Sequence, residues 1–291
     1  MEMYIIKMKR DFAGKAIFFV AFVIILVVAV YGFSGQMMKE KNNKNRSDVT
    51  TVSQKTSVSE KTAEPLPEKT TTVPDDKDAP KTTDKLVCLT FDDGPYAPVT
   101  NKILDTLEKY HAKATFFVVG DRADTYSDEI KRAADMGCEI GSHTYSHVNL
   151  TTLSVQEMEK EIKKSRGAIS KIAHKKVTIL RPPEGGTNET VKANVGMPLV
   201  MWSVDSRDWE SRNADKEFQT VMDNVYDGSI VLMHDLYPAT ADAVARIVPE
   251  LAKQGYRFVT FSELMKIREV DVEPGEKYFD ATPQTPADDG E

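Results

Sequence analysis

Hydrophobic and polar residues divide the chain into segments with different patterns. An uncharged run fills residues 16–33, whereas residues 34–84 are rich in Thr, Ser, Lys, Glu and Pro. From residue 85 to residue 268, short apolar runs alternate with segments whose apolar residues recur at helical spacing, and residues 269–291 carry eight carboxylates and one lysine. The pattern predicts an N-terminal segment (1–33), a linker (34–84), a folded domain (85–268) and an acidic tail (269–291).

The alternation within residues 85–268 predicts the class of the fold. Ser154 and Glu157 form a capping box that marks the start of a long helix. Strands are predicted at residues 86–91, 114–120, 138–143, 177–180, 198–204, 229–234 and 258–261, and helices at residues 99–110, 128–136, 154–172, 216–225 and 241–253. This order indicates βαβ crossovers and an α/β fold with a parallel sheet or barrel, whose functional groups lie at the carboxyl ends of the strands.

Residues 16–33 predict a transmembrane helix. At helical rise these 18 residues span about 27 Å, close to the ~30 Å hydrocarbon core of a bilayer. A cleaved signal peptide is the alternative, but the run is longer than the usual apolar region of about 7–15 residues, and no clear small-x-small cleavage site follows it. We therefore expect a single-pass anchor at the cell membrane, with the C-terminal domain facing the outside.

Both segments that flank the folded domain are expected to be disordered. No aromatic residue occurs between residues 34 and 90, so the linker lacks the apolar surface that would offset its ordering entropy. A flexible chain of about 50 residues has a root-mean-square span of order 40 Å, which suits a tethered catalytic head, although a passive spacer fits equally well. The acidic tail is expected to be solvated because its charges repel one another.

Charge and cysteine content exclude several classes of protein. The net charge of −7 argues against a nucleic-acid binder, which would normally present a basic domain. Two cysteines, Cys88 and Cys138, are too few for a disulfide framework or a cysteine-ligated zinc cluster. Both lie in predicted strands and are expected to be buried thiols, with a disulfide between them as the alternative.

Two acids and two histidines follow predicted strands. Asp92 and Asp93 precede a Gly-Pro pair that breaks the first strand, so both carboxylates can turn into one pocket. His143 and His147 are four residues apart, a spacing that places both on one face of a helical turn. Two histidines and one carboxylate oxygen form an open zinc-type site. We expect one aspartate to bind a metal while the other serves as a base; a solvated turn and two unrelated surface histidines are the alternative.

Further candidates follow the fourth, fifth and sixth predicted strands. Arg181 can bridge a free carboxylate, and the loop over residues 181–188 offers backbone N–H groups to an oxyanion. His234 ends a strand and is a general-acid candidate, and Asp208 could pair with it and raise its pKa. Trp209 suits stacking on a sugar face. An ordinary turn, a structural histidine and a half-buried tryptophan are the corresponding alternatives.

Five segments at predicted strand ends occur in the order TFDDGP, SHTYSH, RPPEGGTN, DSRDW and LMH. Together they resemble the five motifs of the polysaccharide deacetylases, the carbohydrate esterase family 4 or NodB-homology enzymes. The resemblance covers about residues 86–268. It implies a distorted (β/α) barrel, a divalent metal and hydrolysis of an acetyl group, most often N-acetyl, from an acetylated sugar. Zinc is the expected metal, and a site of this kind also accepts cobalt, nickel or manganese.

The resemblance implies a role for each candidate residue. The metal ligands would be Asp93, His143 and His147. The catalytic groups would be Asp92 as the base, Arg181 as the residue that holds Asp92, His234 as the acid that protonates the leaving amine, and Asp208 as the residue that tunes His234. The substrate groove would be lined by Trp209, Leu232, Pro183 and Glu184.

Glu184 departs from the family pattern, which usually has Tyr or Phe at this position. The oxyanion donor attributed to this position is the backbone N–H group, which Glu retains, so activity is expected to survive. The additional carboxylate beside the pocket is expected to alter substrate choice, pH dependence or metal affinity.

An anchor, a tether and an outward-facing catalytic head fit a bacterial cell-wall enzyme. The expected activity is therefore deacetylation of peptidoglycan, on N-acetylglucosamine. An acetyl-ester hydrolase or a chitooligosaccharide deacetylase of the same family and a non-catalytic wall-binding module are the alternatives. A metal phosphoesterase ranks lower because it usually needs two metals and more ligands than these motifs offer.

Overall fold

Strands and helices alternate through residues 79–282, the part of the chain that this computed structural model describes. The strands are β1 (Lys85–Asp92), β2 (Thr115–Val118), β3 (Glu139–Ser142), β4 (Leu199–Val200), β5 (Val204–Asp205), β6 (Ser229–His234), β7 (Tyr256–Phe258) and β8 (Lys277–Tyr278). The helices are α1 (Ala97–Lys109), α2 (Ser127–Asp135), α3 (Val155–Ala173), α4 (Glu189–Asn194), α5 (Asp208–Ser211), α6 (Ala214–Asn224), α7 (Pro238–Lys253) and α8 (Phe261–Ile267). The predicted α/β class is confirmed.

β1 lies at the centre of the main sheet. It pairs in parallel with β2 and β6 in the strand order β3-β2-β1-β6-β5, and β7 pairs with its first residues. Every residue of β1 after Lys85 is buried, because a central parallel strand is covered on both faces. Alternate side chains enter two core clusters, one containing Val87, Leu89 and Phe91 and the other Leu86 and Cys88.

A series of short pairings continues beyond β3. Leu180 forms isolated parallel bridges with Ser142 of β3 and Leu199 of β4. β4 pairs with β8, and Asp280 bridges back to Ser229 at the start of β6. These pairings carry the backbone round from β3 to β6, which is the connectivity expected of a distorted barrel.

Three predicted strands differ from the observed ones. The segment at 177–180 is reduced to the single bridge at Leu180, and the segment at 198–204 is divided into β4 and β5, which lie in different sheets. The division occurs where the side chain of Arg181 donates hydrogen bonds to the backbone carbonyl groups of Val200 and Met201. The strand predicted at residues 258–261 ends early, because Thr260 and Glu263 form the capping box of α8.

The predicted helices are present with small shifts at their ends. α3 begins at the predicted capping box, in which Ser154 accepts a hydrogen bond from the backbone of Glu157 and Glu157 reaches back to Ser154. α1, α2 and α7 bury their apolar faces in the larger core cluster.

Residues 269–282 differ from the solvated tail that was predicted over residues 269–291. β8 pairs with β4, and Val270, Val272 and Tyr278 pack on the second core cluster. Most carboxylates of this segment stay exposed. Main-chain pairing with β4 therefore orders the segment without burying its charges, which is why net charge alone gave the wrong expectation.

The predicted anchor at residues 16–33, most of the predicted linker and residues 283–291 lie outside the described residues. Between residues 79 and 282, no helix has the length and apolar character that crossing a bilayer requires.

Candidate active site

The carboxyl ends of β1, β3 and β6 bring the candidate residues together at one edge of the sheet. Asp92, the last residue of β1, is the register partner of His234, the last residue of β6. Asp93 follows Asp92 in the chain, and His143 follows the last residue of β3. Residues that are far apart in sequence meet here because parallel strands end on the same side of a sheet.

Asp93, His143 and His147 form a compact group of ligand atoms. Asp93 Oδ1 lies 2.9 Å from His147 Nε2 and 3.3 Å from His143 Nε2, and one ligand atom from each residue lies within 4.8 Å of the others. Asp93 Oδ1 is buried and accepts no well-aligned hydrogen bond from the described residues. An orphaned carboxylate oxygen between two imidazole nitrogens fits a divalent cation with an open coordination position.

The electrostatics of this group favour ionised Asp93, and a hydrogen bond sets the orientation of His143. Burial alone would raise the pKa of Asp93, but the adjacent imidazoles of His143 and His147 hold it well below its usual range. His143 Nδ1 lies 2.7 Å from the backbone carbonyl oxygen of Arg181 and donates its proton there. Nε2 therefore keeps its lone pair for a metal, the usual arrangement of a metal-binding histidine.

The loop over residues 143–147 is not the helical turn that the spacing of the two histidines suggested. Thr144 and His147 have φ values of 62° and 55°, so the backbone enters the left-handed region twice within the loop. Asp93 also has a positive φ, at 70°. Non-glycine residues in this region are uncommon and concentrate at functional sites. The two histidines converge through these reversals of the backbone rather than by sharing a helix face.

Asp92 is held beside the metal-ligand group by Arg181. Asp92 is buried, its Oδ1 lies 2.9 Å from an Arg181 guanidinium nitrogen, and its Oδ2 lies 3.9 Å from His143 Nε2. Arg181 is fully buried and also donates to Thr90 Oγ1 at 2.6 Å, to the Val200 carbonyl at 2.9 Å and to the Met201 carbonyl at 2.7 Å. One carboxylate oxygen is thus anchored while the other faces the metal-ligand group.

His234 and Asp208 form a second pair across the site. Asp208 is fully buried, and its Oδ1 lies 2.7 Å from His234 Nδ1. Asp208 Oδ2 accepts the backbone N–H of His234 at 2.7 Å and the hydroxyl of Thr240 at 2.8 Å. Burial alone would lower the pKa of His234, but Asp208, with smaller contributions from Asp92 and Asp93, raises it to about 9. His234 therefore stays protonated at neutral pH, and its pairing with Asp208 is the one that the sequence suggested.

The chain matches the family model of polysaccharide deacetylases over residues 79–199. The peptidoglycan-N-acetylmuramic acid deacetylase PdaC of Bacillus subtilis is 42% identical over 184 residues, 63% of this chain and 39% of PdaC. The peptidoglycan-N-acetylglucosamine deacetylase PgdA of Listeria monocytogenes is 40% identical over 200 residues, 69% of this chain and 42% of PgdA. The structure of a family 4 acetyl xylan esterase from Clostridium thermocellum, in complex with a cobalt ion, is 36% identical with a TM-score of 0.65, and the match covers 68% of this chain and all of the esterase chain.

The chain belongs to the polysaccharide deacetylase family. The match spans 39% of PdaC and 42% of PgdA, less than half the length of either. Members of the family depend on a metal, and the group of Asp93, His143 and His147 is the candidate site for it in this chain.

The residues predicted to line the groove of this family member differ in accessibility. Trp209 is exposed, with 47% of the residue accessible, and its indole Nε1 lies 3.4 Å from Asp205. Glu184 is exposed, has a φ of 59° and accepts a hydrogen bond from Asn149 at 3.0 Å. Leu232 and Pro183 are buried, so any contact with substrate would come from a small accessible part of each side chain.

Sequence reasoning missed several polar residues that support this polysaccharide deacetylase site. Thr90 accepts a hydrogen bond from Arg181, and Thr240 donates one to Asp208. Asp235 follows His234 and is buried, with Oδ2 accepting from Thr100 at 2.6 Å and Oδ1 without a hydrogen-bond partner among the described residues. Burial raises the pKa of Asp235 to about 7. Its position directly after a strand-end histidine is the signal that could have identified it.

The two cysteines are free and buried, as predicted. Burial raises the pKa of Cys88 to about 12 and that of Cys138 to about 11. Both thiols therefore stay protonated and unreactive at neutral pH.

Proposed function

We propose that this protein removes N-acetyl groups from peptidoglycan, with N-acetylglucosamine as the target sugar. The observation that carries the proposal is that one edge of the sheet brings together a metal-ligand group, the carboxylate of Asp92 and the protonated histidine His234. PdaC and PgdA, which act on the two sugars of peptidoglycan, support the choice of polymer. They differ in the sugar that they deacetylate, so the sugar is the part of the proposal that most needs a direct measurement.

Asp93, His143 and His147 would hold the metal, for which we propose zinc. The bound cation would polarise the acetyl carbonyl and make water a stronger nucleophile. Cobalt, nickel and manganese are the other candidates, and the cobalt in the acetyl xylan esterase structure supports a site of this ligand chemistry.

Asp92 and His234 divide the proton transfers of the hydrolysis. The Oδ2 atom of Asp92 accepts a proton from the attacking water, while Arg181 holds the other oxygen. His234 donates its Nε2 proton to the sugar nitrogen as the C–N bond breaks. Its Nδ1 keeps a proton and donates it in a hydrogen bond to Asp208 Oδ1, which fixes the ring. The products are acetate and a protonated glucosamine amine, which together account for every atom of the amide and the water, and return of one proton from Asp92 to His234 through solvent restores the starting states.

The alternative reaction is hydrolysis of an acetyl ester, which the similarity to the acetyl xylan esterase suggests. An amide nitrogen needs a proton before it can leave, and an acid whose pKa is raised to about 9 keeps that proton at neutral pH. This property of His234 favours the amide, and a direct comparison of the two substrates decides between them.

We further propose that residues 1–33 anchor the protein in the cell membrane and that residues 34–84 tether the catalytic domain on the outer side, facing the cell wall. The uncharged run at residues 16–33 supports the anchor. Fractionation should place the protein in the membrane, and protease added to intact wall-stripped cells should degrade the catalytic domain. Recovery of all of the protein in the culture medium would indicate a cleaved signal peptide instead of an anchor.

The activity is tested by treating peptidoglycan with the full-length, detergent-solubilised protein and analysing the muropeptides by mass spectrometry. Loss of acetyl groups from glucosamine supports the proposal, and loss from muramic acid changes the target sugar. Chitooligosaccharides and acetylated xylan are assayed in parallel. Absence of acetate release from every N-acetylated glycan, with metal shown to be bound, would overturn it.

One variant, with a matched control, tests the role of Asp92. Asp92→Asn is expected to bind metal and to lose activity, because the amide cannot accept the proton from water. Asp124→Asn, which changes an exposed acid in the turn between β2 and α2, is the control and should behave as wild type. Unchanged acetate release by Asp92→Asn would assign the base to another residue.

A further inference from the structure

Glu161 on α3 is connected to the loop that carries His143 and His147. Its Oε2 atom accepts two hydrogen bonds from the backbone of this loop, one from the N–H of Tyr145 at 3.1 Å and one from the N–H of Ser146 at 3.0 Å. A single carboxylate oxygen thus binds two consecutive peptide groups that lie between the two histidines.

The carbonyl groups of the loop are held from the opposite direction. The backbone N–H groups of Gly120 and Asp121 donate to the carbonyl oxygens of Thr144 and Tyr145, each at 2.9 Å. The ammonium group of Lys164, one turn along α3 from Glu161, lies 3.6 Å from the centre of the Tyr145 ring. The loop is therefore clamped between α3 and the turn that follows β2.

His147 needs this clamp more than His143 does. His143 is buried and donates from Nδ1 to the Arg181 carbonyl, whereas 41% of the His147 side chain is exposed. Within residues 79–282 the imidazole of His147 makes no comparable hydrogen bond through its other nitrogen. The position of His147 thus depends on the backbone, which at this residue has an unfavourable φ of 55°.

We propose that Glu161 is a positioning residue that sets the affinity of the Asp93, His143 and His147 group for its metal by fixing the loop over residues 143–147. The role does not involve contact with metal or substrate. It follows from the two backbone hydrogen bonds, because an unclamped loop would relax the left-handed conformation at His147 and withdraw its Nε2 from Asp93. Outer residues that orient metal ligands commonly contribute about 10–100-fold to metal affinity.

The test is calorimetric titration of the metal-free, full-length protein with Zn²⁺, and separately with Co²⁺. Glu161→Ala removes the acceptor and is expected to weaken binding by about 10–100-fold. Glu161→Gln keeps an acceptor oxygen at the same distance from the backbone and should weaken binding less than Glu161→Ala does, since a neutral acceptor retains both hydrogen bonds at roughly half of their strength. This contrast separates hydrogen bonding from charge.

Glu159→Ala is the matched control, because Glu159 lies on the same helix, carries the same charge and is exposed. Equal weakening by Glu159→Ala and Glu161→Ala would overturn the proposal in favour of a general charge effect, and an unchanged dissociation constant in Glu161→Ala would overturn it directly. Thermal unfolding of the metal-free variants shows whether each is folded. If Glu161→Ala does not fold, Glu161→Asp carries the test, since the shorter side chain withdraws the carboxylate and should also weaken binding. The readout needs no glycan, so it stands apart from the proposed deacetylase activity.

Discussion

Asp208 and His234 share two hydrogen bonds through the two oxygens of one carboxylate. Asp208 Oδ1 lies 2.7 Å from His234 Nδ1, and Asp208 Oδ2 accepts the His234 backbone N–H at 2.7 Å. The carboxylate therefore fixes both the backbone and the ring of the same histidine. It also favours the charged imidazolium, which raises the pKa of His234 to about 9 against the unfavourable effect of burial.

This pKa shift makes the stability of the metal-free protein depend on pH. The folded pKa of His234 lies above its ordinary value of 6.5, so its contribution to stability is complete below about pH 6.5 and is lost as the pH rises to about 9. We expect wild type to lose about 3 kcal/mol more unfolding free energy between pH 6 and pH 9.5 than His234→Asn does. Urea unfolding of the metal-free proteins at both pH values measures the difference.

His174→Asn is the control for this experiment. His174 is exposed and lies at the end of α3 with a φ of 51°, a conformation that asparagine tolerates. Its variant should follow the pH dependence of wild type. If His234→Asn followed wild type equally closely, the pairing of Asp208 with His234 would not stabilise the charged imidazole.

Arg181 is predicted to be essential to folding as well as to the position of Asp92. Arg181→Lys replaces a guanidinium that contacts Asp92, Thr90 and two backbone carbonyl groups with one ammonium that cannot reach all four. Because breaking a buried ion pair costs about 3–5 kcal/mol, we expect a loss approaching that range in urea unfolding. The loss of Asp92 alignment should also lower kcat more than it raises KM.

Arg246→Lys is the matched comparison for Arg181→Lys. Arg246 pairs with Asp215 on the surface, where both side chains are largely accessible. An exposed pair contributes at most about 1 kcal/mol, so this variant should keep nearly all of its stability. Comparable losses in the two variants would indicate a general intolerance of arginine replacement rather than a special role of Arg181.

Local sequence signals predicted much of this fold because they act over a few residues. The capping box of Ser154 and Glu157 starts α3 where expected, and the apolar run at residues 86–91 lies in the doubly covered strand β1. The pairing of Asp208 with His234 was also predictable, since a strand-end histidine and an acid after a neighbouring strand meet at one edge of a parallel sheet.

Other features depend on contacts that have no local signature. Residues 198–204 look like one strand in the sequence. The side chain of Arg181, however, donates hydrogen bonds to backbone carbonyl groups at the centre of this segment, which is divided into β4 and β5. The loop at residues 143–147 has the histidine spacing of a helical turn, but the carboxylate of Glu161 and its neighbours hold it in another conformation. In both cases a side chain distant in sequence decides the path of the backbone.

Gly94 is predicted to be required because Asp235 occupies the space of a side chain there. A Cβ atom on Gly94 would lie 2.0 Å from Asp235 Oδ1. Gly94→Ala must therefore displace Asp235 or the segment that carries Asp93, and overpacking of this kind costs about 1–3 kcal/mol. In an Asp235→Ala background the space is vacated, so the same substitution should cost much less, and a double-mutant cycle by urea unfolding measures the coupling.

Gly167→Ala is the control for the glycine substitution. A Cβ on Gly167, within α3, meets no neighbouring atom within 4 Å, so alanine there should stabilise the protein by up to about 1 kcal/mol through helix propensity. An equal cost of Gly94→Ala with and without the Asp235 carboxylate would contradict a steric role for that side chain.

Glu184 is predicted to select against anionic glycans. Its exposed carboxylate accepts a hydrogen bond from Asn149. The pKa of His147 is raised mainly by Asp93, and the charge of Glu184 makes a smaller contribution, so this charge is felt at the metal-ligand group. Glu184→Gln removes the charge at constant size, and at low salt we expect kcat/KM for muramyl glycans with free carboxylates to rise about 2–5-fold, with little change for neutral chitooligosaccharides. The gain should shrink at high salt because the interaction is exposed to solvent. Glu159→Gln removes the same charge from an exposed position on α3 and should leave kcat/KM for both substrates unchanged. An equal change of kcat/KM on neutral and anionic glycans in Glu184→Gln would show that the residue alters the chemistry of the site rather than its choice of substrate.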